Sequence, residues 1–155
     1  MGSSKGFTIA EQGHLVNILP PASAVTALTS DSFLMEGWGH ASIIVQSGVG
    51  SACTITVFDS ASAAASGASM VFNYAQETSA AGDTLAALAA ATTAGVAMPT
   101  ADNTMMVIEI NADELRDGYP WIFIRADATT ANYISAVAVL SGGRYQKDIT
   151  ATAIA

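Results

Sequence analysis

Three strand-like runs stand close together near the C-terminal end of this chain: residues 106–110 (MVIEI), 121–125 (WIFIR) and 133–140 (YISAVAVL). β-Branched and aromatic residues fill them, each has an ordinary strand length, and each is bounded by turn formers. A chain punctuated this way has sheet faces to bury rather than helical stripes. Residues 33–36, 41–46, 52–58 and 70–76 carry the same signal upstream, and in 53–58 (CTITVF) apolar and threonine positions alternate with the period of a strand. About seven to nine strands with little helix predict an all-β fold, a β-sandwich or jelly-roll-like antiparallel body with an extended N-terminal arm.

The connections are read from their turn residues. Residues 47–51 (SGVGS) read as a glycine-containing hairpin joining two strands, and 61–67 (ASAAASG) as a loop. In 111–118 (NADELRDG), Asn111 can cap, acidic residues occupy the first turn and Gly118 can close it, which predicts one short helical turn. Residues 83–91 (DTLAALAAA) have helical content behind a possible Asp83 cap. The early break at 92–96 (TTAGV) and the β context favour a strand or irregular segment there instead. Pro20 and Pro21 end an apolar piece at 15–19 by removing backbone donors. Residues 1–30 are accordingly expected to form an N-terminal arm or edge-strand region, and 31–155 the β-sandwich body.

Composition narrows the function. The chain has 155 residues, enough for one domain with a real core. Charged residues make up only 12%, roughly half the usual share, while small neutral residues are abundant. Interface cores are depleted in charge, so this composition points to extensive contact with other protein. The net charge of −8, with five scattered basic residues, speaks against a nucleic-acid partner, which would require clustered Lys and Arg. No membrane-length apolar run and no signal-like leader is present, so synthesis in a cytoplasm without membrane association is expected. Cys53, the only cysteine, lies in an apolar run and reads as a small buried hydrophobe.

Residues suited to chemistry are few. His14 and His40 are the only imidazoles, and Glu36, Trp38 and His40 could share a strand face, although a hydrogen-bonded structural role for His40 is the simpler reading. No Gly-x-Ser-x-Gly elbow accompanies the many serines. Asp113, Glu114 and Asp117 lack the ligand spacing of an EF-hand loop, and Glu109 and Asp127 are candidates to pair with Arg125 or Arg144. Catalysis, a metal and a cofactor are therefore not expected. A carbohydrate-binding module would need Trp38, Tyr74, Tyr119, Trp121, Tyr133 or Tyr145 as stacking rings, where core packing explains most of them. The candidate partner contacts are Phe7, Ile9, Leu15, Val16, Ile18, Trp38, Tyr119 and Trp121.

Several blocks carry a resemblance: 48–57 (GVGSACTITV), 72–74 (FNY), 82–84 (GDT), 107–115 (VIEINADEL) and 138–145 (AVLSGGRY). In these the chain resembles small virion structural proteins of tailed bacteriophages. The resemblance implies a non-enzymatic capsid decoration, or cement, protein that binds the outer surface of the head and stabilises contacts between major capsid protein subunits. It also implies partners in the major capsid protein and in copies of the chain itself, as a trimer or dimer, and a place in the virion. A structural protein of the neck, tail or head-fibre base is the alternative.

Overall fold

The computed structural model describes residues 6, 8–48, 52–77, 79, 82–128, 131–143, 153 and 154. After a single helical turn, α1 (Ile9–Gln12), the chain runs through β1 (His14–Ala24), β2 (Leu28–Thr29), β3 (Phe33–Leu34), β4 (His40–Ser47), β5 (Cys53–Ser60), β6 (Ala68–Ser69) and β7 (Phe72–Gln76). It continues with β8 (Ala89–Ala91), β9 (Val96–Ala97), β10 (Thr104–Asn111), β11 (Trp121–Ala128) and β12 (Asn132–Ser141).

The strands form two antiparallel sheets. Sheet A has the order β1-β12-β4-β10-β7-β8, and sheet B the order β2-β11-β5-β6, with β3 also on β11 and β9 on β5. From β1 to β6 and again from β10 to β12, the chain passes repeatedly from one sheet to the other. The four-strand orders β1-β12-β4-β10 and β2-β11-β5-β6 are those of a jelly roll, to which β7 and β8 add an extension along the β10 edge. The all-β sandwich expected from the strand signals is thus the fold.

The core lies between the sheets because each long strand sends alternate side chains inward. Ile43 and Val45 of β4, Met106, Ile108 and Ile110 of β10, and Ile134 and Leu140 of β12 face Ile55 and Val57 of β5 and Ile122 and Ile124 of β11. Cys53 is buried among them, as its apolar surroundings suggested. Burial, with a smaller effect from Asp127, pushes its thiol up to about 11.

Three details differ from the sequence expectations. Pro20 and Pro21 do not end the strand but lie inside β1, which tolerates them because it is an edge strand whose register shifts between Leu19 and Ala22. The segment 47–51 does not close a hairpin: β4 pairs with β10 and β12 in sheet A, whereas β5 pairs with β11 in sheet B, so this connection crosses the sandwich. Glycine and a strand on each side mark a turn without saying which strand becomes the partner. Residues 49–51 themselves lie outside the described residues.

There are also more strands than the seven to nine expected, because β2, β3, β6 and β9 have two residues each and β8 three. Such pieces borrow their hydrogen bonds from a long neighbour and need no periodicity of their own. Within 83–91, only Ala89–Ala91 is regular, as β8, in keeping with the strand or irregular reading. The turn expected after β10 is a 3-10 turn, Ala112–Glu114, where Glu114 Oε2 accepts the Asn111 N–H at 2.8 Å. Gly118 follows at φ 79, a conformation that glycine adopts at little cost.

Candidate interaction surface

The outward positions of sheet A follow from its register. One row runs across the sheet from Leu15 through Val139, Ser42 and Glu109 to Asn73, and the next from Asn17 through Val137, Ile44 and Val107 to Ala75. Beyond them stand Ser135, Gln46 and Met105. A solvated antiparallel face normally carries polar residues at these alternate positions. Here Ile44, Val107, Val137, Ala75 and Met105 are half-buried on the outside, Val139 is buried beside Gly13, and Leu15 at the edge is 48% exposed. The centre of the outer face is therefore an apolar surface. Its charged groups are confined to the two ends.

At one end His40, Ser42, Glu109 and Asn111 form a cluster. His40 Nε2 lies 2.7 Å from Glu109 Oε2, and Ser42 Oγ donates to the same oxygen at 2.6 Å. His40 Nδ1 lies 2.9 Å from Asn111 Oδ1. Serine, histidine and a carboxylate are all present, but in the wrong order for nucleophilic activation. In a working triad the imidazole stands between the hydroxyl and the acid. Here Glu109 stands in the middle, and Ser42 Oγ is 3.4 Å from His40 Nε2. The arrangement ties β4 to β10.

The grouping of Glu36, Trp38 and His40 on one strand face is not realised. Gly37 sits in a turn at φ 84, β4 begins only at His40, and Trp38 turns inward to stack on His14 with centroids 5.7 Å apart. Among the described residues Glu109 pairs with His40 and not with an arginine, while Asp127 does accept from Arg125 Nε at 2.8 Å.

At the same end of the sandwich Arg116 binds buried Asp59 with two nitrogens and lies over the Tyr119 ring, its guanidinium carbon 3.9 Å from the centroid. The hydrogen bond to Asp59 holds the Arg116 guanidinium above its ordinary range. A shallow depression of about 800 Å³ opens there among Met35, Trp38, Leu115 and Tyr119. Among the described residues, no three His, Cys, Asp or Glu side chains gather closely enough to hold a metal ion, and no helix is long and apolar enough to cross a membrane.

The expected partner contacts divide in three ways. Val16, Ile18 and Trp38 are buried, so the sandwich core holds them and they are not available to a partner. Trp38 is thereby lost to sugar stacking as well. Ile9 and Leu15 are exposed, and Tyr119 and Trp121 are half-buried near the other sheet. Phe7, Arg144 and Tyr145 lie outside the described residues. The remaining rings occupy separate places, Tyr74 against the core and Tyr133 on the outer face of sheet A, so they form no common platform.

Sequence reasoning missed Ile44, Val107 and Val137, the centre of the apolar face. Their signal was present: 43–45, 105–108 and 136–140 are apolar at consecutive positions, so both faces of those strands are apolar. No protein-family model, curated protein or solved structure matches the chain.

Proposed function

We propose that the chain is a non-enzymatic structural component of a tailed-phage virion, a capsid decoration protein that binds the outer surface of the head and braces neighbouring major capsid protein subunits. Jelly rolls serve as capsid and lectin domains alike, so the fold by itself does not choose the function. What carries the reading is the apolar outer face of sheet A, centred on Ile44, Val107 and Val137. Contiguous, partly exposed apolar surface suits protein contact, and a low charged content lets many small residues approach a partner closely.

In this account sheet A supplies the docking face and the N-terminal residues extend it at the β1 edge, where exposed Leu15 pairs with Val139. Copies of the chain associate with one another around the docking site as a dimer or trimer. Quantifying this chain against the major capsid protein in purified virions tests the placement. A decoration role requires copy numbers on the order of those of the capsid subunit, whereas a neck or tail component would be present in only a small symmetric ring.

A further inference from the structure

Glu77 is a largely buried residue whose carboxylate has no counter-charge among the described residues. It is 6% exposed, its side chain makes no hydrogen bond or ion pair among the described residues, and its oxygens keep contact with the cavity opening. Its backbone N–H donates to Met105 C=O at 2.9 Å, which sets it at the end of the outer face of sheet A opposite His40 and Glu109. There it lines a cavity of about 470 Å³ shared with Pro21, Gln46, Met105, Tyr133 and Ile134.

The cavity is preformed. Gly48 N–H donates to Tyr133 C=O at 2.8 Å, Asn103 N–H to Gly48 C=O at 3.3 Å, and Ser47 Oγ to the buried Asn132 Oδ1 at 2.9 Å. These bonds hold the ends of β4, β10 and β12 in one frame around the opening. We propose that it is a socket for one basic side chain, arginine or lysine, carried by a protein that docks on the outer face of sheet A.

A long cationic side chain fits this cavity better than a metal ion or an acidic group. The cavity is far larger than a bare cation and offers one carboxylate, where calcium takes 6–8 oxygens, commonly with several carboxylates. Its walls are mixed in the way a long cationic side chain needs: Pro21, Met105 and Ile134 for the aliphatic stem, Glu77 for the charged head, and the 56% exposed Tyr133 ring beside the path. The net charge of −8 draws a basic group toward the surface and repels an acidic one. The inference rests on the reading that this face meets protein, but not on that protein being a capsid subunit.

The test is a titration of the isotope-labelled protein with N-acetyl-L-arginine amide and N-acetyl-L-lysine amide, followed by backbone amide shifts. N-acetyl-L-citrulline amide, close in shape and neutral, is the control. Saturable shifts around Gln46, Glu77, Met105 and Tyr133 are expected with at least one of the cations, and binding about ten-fold weaker after Glu77→Gln. Equal shifts from the citrulline derivative, none from either cation, or an unchanged response in the variant would overturn the socket. So would calcium chloride shifting these amides where the arginine derivative does not. The comparison of charged and neutral probes on the unmodified chain needs no variant to fold. A protein that responds to the cations yet fails to bind capsids would refute the capsid reading alone.

Discussion

Arg116 Nε lies 2.8 Å from Asp59 Oδ2, and the two residues differ sharply in exposure: Asp59 is 1% exposed while the Arg116 side chain is about half in solvent. The pair therefore fails asymmetrically. Removing the guanidinium strands a carboxylate in the protein interior, whereas removing the carboxylate leaves a guanidinium that water can solvate. Thermal denaturation should rank Arg116→Ala as clearly less stable than Asp59→Asn. Equal losses would mean that the pair acts only through packing against Tyr119.

The Cys53 thiol should give the protein an alkaline weakness. Its folded value, about 11, lies above the ordinary 9.0, so the unfolded chain loses this proton at lower pH than the folded one. The sign follows: between pH 9 and 11 the unfolded state binds fewer protons, and stability falls as pH rises through that window. The loss is on the order of 2–3 kcal/mol. Denaturant unfolding at pH 8 and pH 11 should show a difference that shrinks by about this amount in Cys53→Ala. A thiol-directed reagent should also leave the native protein unlabelled and react on unfolding.

Ile108 is completely buried in the centre of sheet A, between β4 and β7. Ile108→Ala should cost about 2–5 kcal/mol in chemical denaturation, because the rigid sheet cannot collapse onto the missing atoms. Val107, its neighbour in sequence, points to the opposite face. Val107→Asp should therefore leave the fold cooperative while changing what the protein binds.

Gly95 has φ 83, and a Cβ placed there would come within 2.5 Å of Ile55 C=O and 2.6 Å of Thr56 Oγ1. Backbone strain and a steric clash coincide at this turn, so Gly95→Ala should destabilise by more than about 1 kcal/mol. Gly118, also at positive φ but with open space around it, should tolerate alanine better by the same measurement.

The strands of this protein are legible because their inward positions, such as Met106, Ile108 and Ile110, repeat with period two and are uninterrupted by polar residues. Which sheet a strand joins is not legible in that way. The 47–51 connection has the residues of a hairpin, yet the two edges of β4 are already taken by β10 and β12, and that competition is decided by the whole topology.

The apolar face was half legible. Ile44 and Val107 break strict alternation, but a consecutive apolar run also fits a strand covered on both faces within its own domain. Trp38 had the composition of a contact residue and became core because the turn at Gly37 directs it inward toward His14. The unpaired burial of Glu77 has no local signature at all, since the elements enclosing it come from β1, β4, β10 and β12.

Under the proposed function, the outer face of sheet A binds a phage capsid. Co-sedimentation of the purified protein with isolated tailed-phage capsids, from a phage whose genome carries this sequence and lacking their own copies, tests this most directly. Saturable binding at a fixed ratio to the major capsid protein, abolished by Val107→Asp with the fold intact, is the predicted result. Capsids that sediment without the protein, or that bind the Val107→Asp variant equally well, would contradict it.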